Sequence, residues 1–332
     1  MNKYQLGLIS SLVCLSAMAN VPTLNIDSEQ VTVSGLSSGG YMATQFHVAY
    51  SNWVSGIGLI ATGPYYCAQG SIATALNQCV NKLDEKLPLD AFNTQLESYQ
   101  EQGLVAPIDN LSKSKVWMLH GKLDTRVIEP VMDGLYQQYA SWVPAEQLAY
   151  SKNNQFAHHF PTLEYGSTCT ESEAPFLGNC GYDAAGEMLT FIIDDIKAPN
   201  QQQQGDLIEF DQQKTGGDQA SSLANTGYLY VPKSCKTSQC KIHINFHGCN
   251  QNAERVGTEY VTNNGLNRWA DTNNLVILYP QTQSSMMMPL NPQACWDWWG
   301  YTDENYATNQ GQQIQAVRNM IVTLSNHLKD KG

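Results

Sequence analysis

The chain has 332 residues, which is long enough for one large domain or two medium ones around a hydrophobic core. Hydrophobic residues make up 42% of the sequence and charged residues only 14%, a balance that excludes a disordered chain. The formal net charge is −12, opposite in sign to that expected of a nucleic-acid-binding protein. No polybasic patch suited to anionic lipid is present, so we expect no nucleic-acid partner and no membrane anchor.

The first 19 residues predict a secretory signal peptide. Residues 6–17 form a mostly apolar stretch that ends at Ala17. Ala17 and Ala19 then supply small residues at the −3 and −1 positions of a cleavage site after Ala19. The stretch is too short and too rich in serine for a good membrane span. A buried N-terminal helix and a lipoprotein signal through Cys14 are the alternatives. We therefore expect a protein secreted to the periplasm or to the extracellular space.

The cysteines predict a disulfide framework. Of nine cysteines, only Cys14 lies in the signal peptide, which leaves an even number in a chain addressed to an oxidising space. Proximity in sequence favours three pairs and leaves a fourth by subtraction: Cys67–Cys79, Cys169–Cys180, Cys235–Cys240 and Cys249–Cys295. No CxxC motif occurs and no histidine is spaced to complete a cysteine site, so we expect no metal.

Along the chain, predicted strands alternate with predicted helices. Apolar strands are predicted at residues 31–34, 55–61, 115–119 and 275–279, and a pair of adjacent strands at 227–231 and 241–246. Helical periodicity covers residues 41–51, 183–196, 253–270 and 311–324. A glutamine run at residues 201–204 predicts an exposed connector near 198–205. This order indicates an α/β fold with a mainly parallel central sheet and helices on both faces.

Residues 35–39 (GLSSG) match the G-x-S-x-G pattern of a serine nucleophile. The motif lies between a β-branched strand and a helix, which is the strand–turn–helix context that the pattern requires. A sharp turn there raises the hydroxyl of Ser37 above the sheet edge. The amide of Ser38, at the start of the helix, then points at a developing oxyanion. Ser37 is the predicted nucleophile, and a turn that only caps a helix is the alternative.

A serine nucleophile needs a base and an orienting carboxylate, which in this architecture follow the serine in the chain. Asp124 comes soon after the strand at residues 115–119, at the same sheet edge as Ser37. His158 and His159 follow Asp124 and precede the last helix of this half of the chain. One of them is the expected base, and the residues alone leave the choice open.

The second half of the chain carries elements that usually precede such a nucleophile. His247 and Gly248 end the strand at residues 241–246, where the second oxyanion loop is expected, and the helix at 311–324 is of the kind that precedes the nucleophile strand. Swapping the two halves restores the conventional order. We infer a circular permutation, with one catalytic domain over residues 20–332 and both halves in one sheet.

Together these motifs resemble the secreted, single-domain, circularly permuted poly(3-hydroxybutyrate) depolymerases, in the esterase/depolymerase group of α/β-hydrolases. The matching segments span nearly the whole chain after the signal peptide: residues 35–42 (GLSSGGYM), 63–67 (GPYYC), 120–121 with Asp124, 158–162 (HHFPT), 246–249 (FHGC) and 295–299 (CWDWW). The resemblance implies His158 as the base and the Cys249 amide as the second oxyanion donor. It also implies that the disulfide between Cys249 and Cys295 ties this loop to the tryptophan-rich segment.

The resemblance further implies a serine esterase that cleaves polyester polymers or oligomers and needs no cofactor. We expect a monomer that binds solid polymer through the surface of its own catalytic domain. The alternative functions are a carboxylesterase that removes feruloyl or acetyl groups from polysaccharide, and a catalytically inactive secreted polymer-binding protein.

Aromatic residues are the candidates for substrate contact. Trp296, Trp298 and Trp299 lie in one short run and cannot all be buried on one face, so at least one is expected at the site. Tyr65 and Tyr66 are the other candidates. Packing in the hydrophobic core is the alternative for each of the five.

Overall fold

The computed structural model describes residues 21–82, 86–199 and 203–325. The predicted signal peptide lies outside these residues, and so does part of the predicted connector, at residues 200–202. None of the helices in the described residues combines the length and the apolar character needed to cross a membrane.

Strands and helices alternate through most of the described chain. In chain order they are β1 (Ile26–Leu36), α1 (Ser38–Ala49), β2 (Val54–Ile60), α2 (Ile72–Gln78), α3 (Leu89–Glu101), β3 (Lys115–Gly121), α4 (Glu129–Ala140), β4 (Leu148–Asn154), β5 (Phe160–Thr162), β6 (Ser167–Thr168), β7 (Leu177–Asn179), α5 (Ala184–Ile192), β8 (Asp206–Asp211), α6 (Gln212–Gly216), β9 (Thr226–Val231), β10 (Cys240–Phe246), α7 (Ala253–Val256), α8 (Glu259–Asn263), α9 (Leu266–Thr272), β11 (Leu275–Tyr279) and α10 (Gln312–Leu324). Short 3₁₀ helices cover Ile108–Lys113, Ala145–Gln147, Gly217–Ser222 and Lys233–Lys236.

The central sheet has eight strands in the order β4-β3-β2-β1-β10-β11-β9-β8. The six strands from β4 to β11 pair in parallel, whereas β9 pairs antiparallel with both β11 and β8. Strands β5, β7 and β6 form a separate small parallel sheet. The mainly parallel sheet predicted from the sequence is therefore confirmed.

Both halves of the chain contribute to this one sheet. They meet at β1 and β10, which pair in parallel from Val31 opposite Ile242 to Gly35 opposite Phe246. The amide of Leu24 donates to the carbonyl of Leu324 at 2.7 Å, so the end of α10 lies beside the start of β1. If the second half is read before the first, α10 leads directly into β1, which is the order that a circular permutation requires.

Helices cover both faces of the sheet. On one face α1, α4 and α10 bury apolar side chains that include Phe46, Leu135 and Ile314. On the other face α5 and α9 bury a second cluster that includes Met188 and Leu266. The strands between these layers have apolar side chains on both faces, as expected for a parallel sheet covered on both sides.

Two sequence-based predictions of local structure are wrong. The predicted strand pair of residues 227–231 and 241–246 does not form, because β11 lies between β9 and β10 and the hairpin partner of β9 is β8. The helix predicted over residues 253–270 is three short helices. Gly257 and Gly265 separate them with φ angles of 57° and 90°, which a continuous right-handed helix cannot contain.

Among the described residues four disulfides are present, and they join the same pairs that proximity and subtraction select: Cys67–Cys79, Cys169–Cys180, Cys235–Cys240 and Cys249–Cys295. The last pair spans 46 residues and connects the loop after β10 to the segment after β11. Disulfides persist in oxidising compartments, so the framework fits a protein that functions outside the cytoplasm.

Two buried histidines join elements of the sheet layers. The imidazole of His243, on β10, contacts Thr32 Oγ1 at 2.8 Å and Ser34 Oγ at 2.7 Å, both on β1. The imidazole of His47, on α1, contacts Ser114 Oγ at 2.8 Å and Tyr139 Oη at 3.0 Å. Burial lowers the pKa of each histidine to about 3, so both stay neutral in the folded protein at ordinary pH.

The fold should therefore lose stability in acid. In the unfolded chain these histidines titrate near their ordinary pKa of 6.5, whereas in the folded protein they do not bind a proton until about pH 3. Because the unfolded state then binds more protons, the free energy of unfolding falls as pH decreases through this window. We expect the urea concentration at the midpoint of unfolding to be lower at about pH 4.5 than at about pH 7. The difference should be smaller in His243→Gln. An unchanged pH dependence in the variant would contradict this.

Candidate active site

Ser37 occupies the sharp turn between β1 and α1. Its backbone has φ 57° and ψ −122°, a conformation that is strained for a residue with a side chain. The Ser37 amide donates to the Ile60 carbonyl at 3.0 Å, and its carbonyl accepts from the amides of Gly40 and Tyr41 at 2.9 and 3.1 Å. These bonds hold the turn, and Ser37 lines a cavity of about 880 Å³.

The glycines of the motif allow close backbone contacts around Ser37. A Cβ atom on Gly35 would overlap the carbonyl of Gly39. A Cβ atom on Gly39 would overlap the carbonyls of Phe246 and His247, at the end of β10. The strand–turn–helix therefore packs directly against the loop that follows β10, which any larger residue at position 39 would push away.

Asp124 and His158 form a buried hydrogen-bonded pair. His158 Nδ1 donates to Asp124 Oδ2 at 2.7 Å. Asp124 Oδ1 accepts from the amides of Arg126 and Val127 at 2.8 and 3.0 Å. Burial favours the neutral acid, but electrostatic attraction to the His158 imidazole and the hydrogen bond from it outweigh that effect, so the pKa of Asp124 lies below its usual value. Asp124 is thus an ionised carboxylate that fixes the orientation of the imidazole.

The two neighbouring histidines have different surroundings. His158 lines the same cavity as Ser37. His159 points away: its Nδ1 donates to the carbonyl of Glu171 at 3.0 Å, and its Nε2 lies 3.3 Å from the sulfur of Cys180. Burial lowers the pKa of His159, and its ring packs against Phe156. The structure thus places Ser37 and His158 at one cavity, with Asp124 buried behind the His158 ring, and holds His159 inside the protein.

The amide of Ser38, at the start of α1, and the amide of Cys249, in the loop after β10, both lie near Ser37. A Cβ atom on Gly248 would be 3.5 Å from the Ser37 Cβ, so the loop after β10 is in van der Waals range of the serine. The Gly248 amide is occupied by Gln251 Oε1 at 2.7 Å. Within the described part of the chain, by contrast, no acceptor is bonded to the amides of Ser38 and Cys249. Two amides near one serine are the donors that an oxyanion needs.

The cavity beside Ser37 has a volume of about 880 Å³ and a mostly apolar lining. One wall comes from Ile72 and Leu76 of α2, which are 48% and 54% exposed. Another comes from residues 288–290 (MPL), where Met288 is 88% exposed. Apolar side chains that remain this exposed around a cleft are typical of a site that binds an apolar ligand.

The five predicted substrate-contact aromatics divide into two groups. Trp298 and Trp299 line the cavity, and Trp298 stacks on Tyr41 with ring centroids 4.1 Å apart. Trp296 is fully buried against Phe246.

Tyr65 is also buried and donates to the carbonyl of Ala307 at 2.7 Å. Tyr66 packs against Tyr99 and Tyr306 and does not line the cavity. The expected substrate contact therefore does not hold for Trp296 and Tyr65, which are buried in the core. Tyr66 is half-buried, and its contact with substrate stays a prediction.

Two residues that were not predicted as site residues shape the cavity. Arg126 lines it two positions after Asp124, and no motif singles it out. Asp297 accepts the amides of Trp299, Gly300 and Tyr301 on Oδ1, which fixes the loop carrying Trp299. Burial raises the pKa of Asp297, although hydrogen bonds from Thr302 and these amides oppose the rise. The position of Asp297 between two tryptophans was the one sequence feature that could have indicated its structural role.

Comparison with protein-family models gives no match. Two curated proteins are similar to this chain. The poly(3-hydroxybutyrate) depolymerase of Delftia acidovorans is 41% identical over 316 residues, which cover 93% of this chain and 62% of the relative. This chain thus spans less than two thirds of that relative's length. The polyhydroxybutyrate depolymerase of Talaromyces funiculosus is 35% identical over 316 residues, which cover 91% of each protein.

Two solved structures have the same fold. A serine-to-alanine variant of a PHB depolymerase, complexed with an R3HB trimer, superimposes with a TM-score of 0.86. The PHB depolymerase from Penicillium funiculosum superimposes with a TM-score of 0.84. Both are 33% identical to this chain, and each match covers 92% of this chain and 98% of the solved chain. The fold is therefore of the α/β-hydrolase type, and the chain belongs to the polyhydroxybutyrate depolymerase family.

Proposed function

We propose that this protein is a secreted serine esterase that hydrolyses the ester bonds of poly(3-hydroxybutyrate) or of related hydroxyalkanoate polymers and oligomers. The observation that carries the proposal is the buried pair of Asp124 and His158 at the same cavity as Ser37. The family supports the substrate class, since the relatives are named for this polymer and one solved relative is complexed with an R3HB trimer.

In the proposed mechanism Ser37 attacks the ester carbonyl. Because Nδ1 of His158 is bonded to Asp124, Nε2 is the nitrogen available to take the serine proton. The Asp124 carboxylate stabilises the imidazolium that forms. The amides of Ser38 and Cys249 donate to the oxyanion of the tetrahedral intermediate.

Collapse of that intermediate breaks the bond between the carbonyl carbon and the alcohol oxygen. His158 gives its proton to the departing oxygen, and the acyl group stays on Ser37. A water molecule, activated by His158, then attacks the acyl-enzyme and releases the acid. Each step uses side chains and amides of this chain alone.

The rim of the cavity supports binding to an apolar polyester. Met286, Met287 and Met288 are 77%, 80% and 88% exposed, and Leu290 beside them is 51% exposed. Ile72 and Leu76 are exposed on another wall. A flexible thioether adapts to an irregular apolar surface, which suits contact with a solid polymer. We propose that the catalytic domain, acting as a monomer, adsorbs to the polymer through this rim.

The substitution Ser37→Ala should remove the nucleophile and lower kcat by about four to six orders of magnitude. The measurements are hydrolysis of a soluble butyrate ester and clearing of a poly(3-hydroxybutyrate) suspension with analysis of the products. Ser238→Ala, an exposed serine in the loop closed by Cys235 and Cys240, is the matched control. Substantial turnover by the Ser37 variant would refute the nucleophile. Wild-type cleavage of feruloyl esters without clearing would move the assignment to the carboxylesterase class.

Parallel variants of the adjacent histidines test the base. We expect His158→Ala to lower kcat by about four orders of magnitude while the protein stays folded, because the general base is lost. His159→Ala should instead lower stability, because it removes the buried contacts to Glu171 and Cys180. Kinetics on a soluble ester, together with thermal unfolding, separate the two effects. A larger loss of kcat in folded His159→Ala than in His158→Ala would overturn the assignment.

A further inference from the structure

The cavity that contains Ser37 has one charged side chain of the Lys, Arg, Asp and Glu types among its described lining residues, and that side chain is Arg126. The other lining residues are apolar or uncharged, apart from His158. The chain as a whole carries a net charge of −12. Adsorption to a neutral polyester does not require a cationic side chain in the cleft. A single arginine there therefore indicates a more specific interaction.

Arg126 lies on the same side of the cavity as the predicted base. Its Nε donates to Ser172 Oγ at 3.2 Å, and Ser172 Oγ donates to the carbonyl of His158 at 2.8 Å. Its backbone amide donates to Asp124. The guanidinium carbon lies 5.9 Å from the centre of the Phe176 ring, which also lines the cavity.

The guanidinium is held in place but keeps donors to offer. Within the described residues, no carboxylate forms an ion pair with Arg126, although Glu171 and Glu173 flank its partner Ser172. Its Nη donors likewise have no partner among the described residues. An arginine fork presents parallel N–H groups that match the two oxygens of a carboxylate.

The chemistry of the proposed reaction supplies a carboxylate at this place. When Ser37 attacks an ester of a 3-hydroxyalkanoate chain, the leaving half departs through its 3-hydroxyl oxygen, which His158 protonates. If that half is the last unit of the chain, its carboxylate carbon is three bonds from the same oxygen. The free carboxylate of the leaving unit must therefore lie close to His158, on the side of the cavity where Arg126 is found.

We propose that Arg126 is a specificity-determining residue that binds the free carboxylate of the leaving hydroxy acid, so that the enzyme favours the ester bond next to the acid end of an oligomer. This rests on the proposed function. The interaction is electrostatic and partly exposed to solvent, so its strength should lie between that of an exposed ion pair and that of a buried charged hydrogen bond. A preference of about tenfold is expected.

The test compares two soluble substrates, the linear trimer of (R)-3-hydroxybutyrate as its free acid and as its methyl ester. We expect kcat/KM of the wild type to be about tenfold higher for the acid, with monomer acid as the first product, and the preference to shrink at high salt. Arg126→Gln should reduce the ratio of acid to methyl ester by about tenfold. Lys122→Gln is the matched control, because it removes one positive charge from the same loop outside the cavity lining and should keep the wild-type ratio.

The outcomes distinguish failure of the proposed role of Arg126 from failure of the proposed esterase function. Equal kcat/KM values for acid and methyl ester in the wild type, or an unchanged ratio in Arg126→Gln, would overturn the role of Arg126 and leave the esterase intact. An equal drop in Lys122→Gln would also overturn it, because the preference would then reflect net charge. If the wild type cleaved an internal bond of neither trimer, the proposed function itself would fail.

Discussion

The packing of the Ser37 turn against the loop after β10 is the contact on which the rest of the site depends. Strands β1 and β10 are parallel neighbours, so both carboxyl ends emerge at one edge of the sheet, with Gly35 opposite Phe246. At that edge only glycine at position 39 leaves room for the carbonyls of Phe246 and His247. The two amides proposed to bind the oxyanion are consequently neighbours in space although they lie in opposite halves of the chain.

A second set of contacts connects the segment that follows His158, the proposed base, to the loop that follows β10. Gln251 accepts from the amide of Gly248 at 2.7 Å and donates to the carbonyl of Phe176 at 3.0 Å. Phe176 lies in the segment closed by the disulfide between Cys169 and Cys180, and that segment also holds the carbonyl of His158 through Ser172. Movement of one loop would therefore disturb the other, which keeps His158 and the amides proposed to bind the oxyanion in a fixed relation.

Much of the architecture could be predicted because local signals and topology agree. The G-x-S-x-G turn, the strand before Asp124 and the position of His247 each specify an end of a parallel strand, and parallel strand ends share one edge. The permutation follows from the same order, and the bond between Leu24 and Leu324 is consistent with it. The wrong strand pair shows the limit, because sequence neighbours need not be sheet neighbours when a later strand inserts between them.

Burial of the aromatic residues could not be predicted, because Trp and Tyr occur both in hydrophobic cores and in binding clefts and the residue type alone does not distinguish the two. Trp296 and Trp298 are two positions apart, yet one packs on Phe246 inside the protein and the other lines the cavity. The choice between His158 and His159 also depends on tertiary contacts, here the carbonyl of Glu171 that engages His159. Arg126 carries no motif, and its position follows only from the fold around Asp124.

A crystal structure of the protein after reaction with a fluorophosphonate, whose adduct mimics the tetrahedral intermediate, would show whether the proposed nucleophile and oxyanion donors meet. We expect phosphorus bonded to Ser37 Oγ, with one phosphonyl oxygen about 3 Å from the amide nitrogens of both Ser38 and Cys249. His158 should lie on the opposite side of the adduct, still bonded to Asp124. An adduct on another residue, or a phosphonyl oxygen that meets neither amide, would contradict the account.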